Sequence, residues 1–227
     1  MKKTFKFLVV AAVLAFAANS SLMAQFKFGV KVSGNLSNIY MEDTTTTSMK
    51  PGFNFGVLGE YFLNENMSLG AEVLFSQQGA KETKEGEDFG TKWKTTSAIT
   101  TNYINVPILF RYYFGGLAVE LGPQFGFCLG GKYSYKSEVG DKTEEYTKKF
   151  SEIEEDAQKV VSDFKYWNRL QIGGAIGLTY NMPMGLFLGA RYTYDFTDLL
   201  NTINKEGKTE SYKTKSGVIT VSVGYKF

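Results

Sequence analysis

Histidine is missing from all 227 residues, and cysteine occurs once, as Cys128. Without an imidazole, no Ser–His or Cys–His nucleophile and no His-ligated metal can be assembled. One cysteine cannot form an intramolecular disulfide in any redox compartment. An excess of one charge is also lacking: the formal net charge is +2, and three lysines lie among the first six residues. Nothing there calls for nucleic acid. No second long apolar run follows residue 18, which excludes a protein that spans a membrane by helices. Proline is rare, at four residues, whereas glycine (24), phenylalanine (19) and tyrosine (14) are abundant. A closed β-barrel survives these exclusions, because its strands need apolar residues on one face only.

The start reads as a secretory leader. Lys2, Lys3 and Lys6 precede an apolar run from Phe7 to Ala18, and Leu22-Met23-Ala24 supplies a small residue at the cut before Gln25. Leu22 departs from the alanine usual there. The run is too short to span as a helix, which takes about 20 residues. No cysteine follows Ala24, which disfavours a lipoprotein. The expected organisation is therefore a signal peptide over 1–24 and one domain over 25–227.

That domain alternates. In Phe26–Ser33 the even positions are apolar and the odd ones polar or glycine, the period of a strand between two different environments. The pattern returns in Phe53–Tyr61, Leu69–Ser76, Ile104–Tyr112, Val119–Phe127, Arg169–Leu178, Leu188–Asp195 and Ile219–Phe227. Short links at Leu63–Asn66, Gly115-Gly116 and Asn181–Gly185 alternate with long polar segments at Asn38–Lys50, Gln77–Asn102, Ser134–Lys165 and Asp198–Ser216. Short turns on one side and long loops on the other predict an eight-stranded antiparallel transmembrane β-barrel with its long loops extracellular. A soluble barrel or sandwich would turn the apolar face inward. Aromatics near the strand ends favour lipid instead: Tyr61, Phe62, Tyr112, Tyr113, Phe114, Tyr180, Tyr225 and Phe227 on the turn side, and Phe53, Tyr103, Tyr133, Tyr166 and Tyr194 on the loop side.

Candidate residues fall in two places. The inward face carries Lys27, Lys31, Glu60, Glu72, Arg111, Glu120, Arg191, Asp195 and Lys226. Eight strands enclose only enough room for their own side chains, so these charges are expected to pair as a structural plug. Arg111 should lie between Glu72 and Glu120, and Glu60 beside the lysines of the first strand. In the third long loop, Tyr146, Phe150, Ile153, Ala157, Val160 and Phe164 recur every three or four residues and predict a helix with one contact face, with Asp141 or Thr143 as its cap. Cys128 reads as a small buried filler. The stretch Gly126–Lys132 spaces glycines like a phosphate loop, but it lies in a strand and opens no helix.

Asn105-Val106-Pro107, Gly122-Pro123-Gln124, Ala190-Arg191-Tyr192 and the ending Val223-Gly224-Tyr225-Lys226-Phe227 are the motifs by which the chain resembles the PorT-like outer-membrane β-barrel family of Bacteroidota. The resemblance covers Gln25 to Phe227. It implies an outer-membrane barrel whose terminal aromatic is read by the barrel-assembly machinery. The expected function is non-enzymatic and cofactor-free: a monomeric surface, structural or binding protein acting through its extracellular loops on an unidentified ligand. A narrow pore for small solutes and an accessory of a secretion machine are the alternatives.

Overall fold

A computed structural model of the protein describes residues 25–41, 48–88, 90–140, 142–159, 167–203, 209–212 and 214–227. Residues 1–24, where a leader is expected, lie outside the described residues, as do Asp141, Val160, Phe164 and Tyr166. In chain order the elements are β1 (Phe26–Met41), β2 (Ser48–Asn64), β3 (Met67–Asp88), β4 (Thr91–Phe114), β5 (Leu117–Val139), β6 (Lys142–Lys149), α1 (Phe150–Gln158), β7 (Leu170–Asn181), β8 (Leu186–Asp195), β9 (Leu200–Ile203), β10 (Thr209–Tyr212) and β11 (Thr214–Lys226).

Eight of the strands close into a ring. Neighbours pair antiparallel in the order β1, β2, β3, β4, β5, β7, β8, β11, and β11 returns to β1 with Val30 opposite Tyr225. Following opposed residues round the wall from Phe110 through Leu121, Ile176, Tyr192, Ile219, Leu36 and Pro51 returns to β4 about ten residues from the start, the stagger that tilts strands in a small barrel. The turns on one end are tight. Gly115 and Gly185 take φ of +63° and +88°, the left-handed region a side chain resists.

The two faces separate as the alternation requires. Outward positions are apolar and bare, such as Val30, Val57, Val73, Leu178 and Val221. Inward positions are polar and buried, from Asn35 and Asn54 to Gln124 and Thr193. Among the aromatics expected in the outer girdles, two on β4 turn inward instead: Tyr113 is 7% exposed and Tyr103 is 2% exposed. Their parity on β4 matches Arg111 and Asn105, not Ile104 and Phe110.

The largest departure from expectation lies above the ring. Gln77–Asn102 is not a loop but the upper half of a continuous hairpin, paired from Gln77–Asn102 out to Asp88–Thr91. β3, β4 and β5 run 22, 24 and 23 residues, although about 9–11 suffice to cross a membrane. The excess, with β6 added alongside β5, makes a four-stranded blade standing on one side of the barrel. A smaller hairpin of β9 and β10 lies between β8 and β11.

Candidate functional site: a filled lumen beneath a blade

Near the short turns the lumen is packed with charge. Glu72 on β3 sits at the centre. Its Oε2 accepts from Lys31 Nζ at 2.6 Å and Arg191 Nη1 at 2.8 Å, and its Oε1 from Arg111 Nη2 at 2.7 Å and Arg191 Nη2 at 2.8 Å. Glu120 on β5 accepts from Arg191 Nε at 2.7 Å and Arg111 Nε at 3.0 Å. Glu60 on β2 takes the hydroxyls of Ser68 and Tyr113, and the Lys226 ammonium lies 2.7 Å from its other oxygen. Arg111 Nη1, 3.6 Å from Glu60, joins the two groups.

Burial decides how tightly this must be satisfied. Glu60, Glu72 and Arg111 are 0%, 1% and 3% exposed, and a buried charge without a partner costs several kcal/mol. The wall makes room for the partners. A Cβ at Gly70 would collide with the Arg111 guanidinium, and one at Gly177 would stand 2.8 Å from Glu120 Oε1.

The structure thus brings together Lys31, Glu60, Glu72, Arg111, Glu120, Arg191 and Lys226, and adds Tyr113. Three positions differ from the sequence reading. Glu60 meets Lys226 and not Lys31, which the stagger carries to Glu72. Lys27 stands opposite Glu60 in register, but it is exposed at the rim with its ammonium 5.0 Å over the Phe62 ring. Asp195 is buried away from the network. It lies four residues up β8 from Arg191, about 13 Å at ~3.3 Å per residue, and no lysine or arginine among the described residues reaches it.

Above the charges lies an uncharged polar layer. Asn35 donates to Asn54 Oδ1 at 2.6 Å, which also accepts from Ser76 at 2.6 Å, and Gln78 donates to Ser76 at 2.8 Å. The void between these layers is about 10 Å³, room for roughly one water. At the loop end the interior is sealed by an apolar cluster of Ile39, Ala80, Ile99, Tyr103, Cys128, Phe150, Leu199 and Leu200. Phe150 is fully buried there, 5.5 Å from the Trp167 ring. Among the described residues no group of three His, Cys, Asp or Glu side chains is placed to hold a metal.

A closed ring with a bare apolar band, a charged interior and tight turns at one end is the geometry of a barrel in lipid. The family model described as "Outer membrane protein beta-barrel domain" matches residues 16–201. The chain belongs to this outer-membrane β-barrel family. The barrel is accordingly an outer-membrane protein, and its bare apolar band faces the bilayer.

Among solved structures the barrel is similar to Ail, the attachment invasion locus protein of Yersinia pestis, at 14% identity over 89% of this chain and 99% of that one, with a TM-score of 0.44. It is also similar to neisserial surface protein A, at 14% identity over 88% and 97% with a TM-score of 0.45. A third likeness is a major outer membrane protein from Thermus thermophilus, at 14% identity over 89% and 99% with a TM-score of 0.44. A comparison with curated proteins finds no match.

The barrel's third loop departs from its sequence pattern. Tyr146 belongs to β6, where it faces Tyr135 in register and their rings stack at 5.1 Å. The helix spans only Phe150–Gln158, with Ile153 half-buried and Ala157 on the same stretch. Thr143 is on β6, and the N-cap is Lys149, whose N–H donates to Glu152 Oε2 at 2.9 Å. Phe150, the first helical residue, does not lie on a binding face but plugs the barrel mouth. Leu199 and Leu200, its partners there, carried no periodic signal because Leu199 lies just before β9 and that strand is only four residues long.

Proposed function

We propose that this barrel is a non-enzymatic outer-membrane protein that works through its extracellular blade and loops, not through its lumen. The observation that carries the reading is the division of labour along the barrel axis. The interior is closed twice, by ion pairs below and by the Phe150 cluster above, while three strands continue far beyond the length a bilayer needs. Long connections of this kind are where binding residues concentrate. The PorT-like character carried by Asn105-Val106-Pro107 and by the C-terminal aromatic supports assembly through the barrel-assembly machinery, with cleavage before Gln25 and a monomeric state.

The test is photo-crosslinking in intact cells. A probe at Tyr146 or Glu87 is expected to capture an external partner, whereas one at Asn64 is not. N-terminal sequencing is expected to start at Gln25. Uptake of small sugars restored in porin-deficient cells would contradict the reading.

A further inference from the structure

Just above the apolar band, β5 parts from β7, and the gap opens a pocket of about 450 Å³. Lys132, Lys149, Asn102, Gln77, Ser151 and Trp167 line it. Lys132 and Lys149 stand directly opposite each other across β5 and β6, an arrangement that repels. A third ammonium, Lys50, bonds the hydroxyl of Thr100, which lines the same pocket. Several other loop-side lysines take carboxylate partners, Lys84 with Glu82, Lys94 with Glu85, Lys136 with Glu138 and Lys148 with Asp156, whereas Lys81, Lys92 and Lys142 stand apart on exposed positions of the blade. Among the described residues Lys50, Lys132 and Lys149 take no carboxylate partner. Glu152, on the first turn of α1, is turned to the Lys149 backbone N–H.

The height of the pocket indicates which anion fits. On β5 the lipid-facing ladder climbs through Phe125, Phe127 and Leu129, the last 54% exposed, and Leu129 itself forms part of the pocket floor. Leu170 continues the same apolar surface on β7 at 54% exposure. An acyl chain lying along this ladder would deliver its headgroup to Lys132. We propose that the pocket binds the phosphate of an outer-leaflet lipid headgroup. The lysine ammoniums neutralise the phosphate, the Asn102 amide, whose Oδ1 accepts from Gln77 Nε2 at 3.3 Å, is left with its own N–H groups to donate, and the start of α1 adds backbone N–H groups that favour an anion.

The experiment titrates phosphatidic acid into the detergent-solubilised full-length protein and counts retained lipid by native mass spectrometry. Saturable retention is expected, with phosphatidylcholine and inorganic phosphate much weaker. The double variant Lys132→Gln/Lys149→Gln should bind roughly thirtyfold more weakly, from about fivefold per lysine near an anionic headgroup. Lys132→Arg/Lys149→Arg should retain binding and shows that the pocket still folds. Lys92→Gln/Lys142→Gln, an equal charge change on the blade tip, should leave affinity unchanged. Equal weakening by both neutral doubles would mean diffuse attraction and overturn the site. Inorganic phosphate binding as tightly as the lipid would overturn the lipid assignment.

Discussion

Glu72 accepts hydrogen bonds from three cations at once, so its loss should cost more than that of any single donor. Glu72→Ala leaves Lys31 without its carboxylate and leaves Arg111 and Arg191 with Glu120 alone at full hydrogen-bond distance, and a loss of about 3–5 kcal/mol is expected, read from urea unfolding in micelles. Arg111→Ala should destabilise more than Arg111→Ala combined with Glu120→Ala, because the single change takes a cation from Glu60, Glu72 and Glu120 at once, while the double also removes one of those buried acceptors. On the outer face, Val57 is 55% exposed at mid-strand. Val57→Arg should cost about 2–4 kcal/mol in bilayers, whereas a water-facing site would tolerate it within ~0.5 kcal/mol. Most of these residues were legible from parity alone: an odd position on β1 or an even one on β3 faces inward. Arg111 does lie between Glu72 and Glu120 as expected, but the partners of Lys31 and Glu60 were not legible, since the stagger of the ring decides which charges meet, and no single strand carries that information.

At the scale of elements, the eight membrane strands were legible because lipid on one side and a polar lumen on the other enforce alternation. That demand ends at the membrane surface. Beyond Ala80 the hairpin keeps its backbone pairing through Thr95 and Thr96, but its side chains are exposed or half-buried on both faces, and the period of two fades. The same loss let Tyr146 on β6 imitate a helical spacing. Excising residues 82–97 and rejoining Lys81 to Ala98, which are opposite in register, should therefore leave a folded, heat-modifiable barrel. Cysteines at Glu87 or Glu154 should label from outside intact cells in a Cys128→Ala background, and those at Asn64 or Met182 should not. The end of α1 is tied to β6 by Asp156, which bonds Lys159 at 2.9 Å and Lys148 at 3.1 Å. Those lysines, Lys159 foremost, hold its carboxyl below the usual aspartate range. A lowered folded pKa means the tie is present above about 3.9 and is lost as pH falls through the lower folded value. Amide exchange in α1 should accelerate across that acid window, and Asp156→Asn should abolish the change.

At the scale of the whole molecule, the barrel is a membrane-fixed post whose interior is filled and whose exposed mass stands to one side. Eight strands leave no bore once Arg, Lys and Glu stems occupy it, and the Phe150 cluster closes the loop end independently. Opening a path would require breaking ion pairs at one level and an apolar seal at another, two separate costs. The central claim is that function lies outside the lumen, and single-channel recording of the purified full-length protein in planar bilayers tests it most directly. The unmodified barrel should give no steady conductance steps, and Phe150→Ala alone should not create them while the charge layer is intact. Large, stable steps from the unmodified protein would contradict the account and make the lumen the working part.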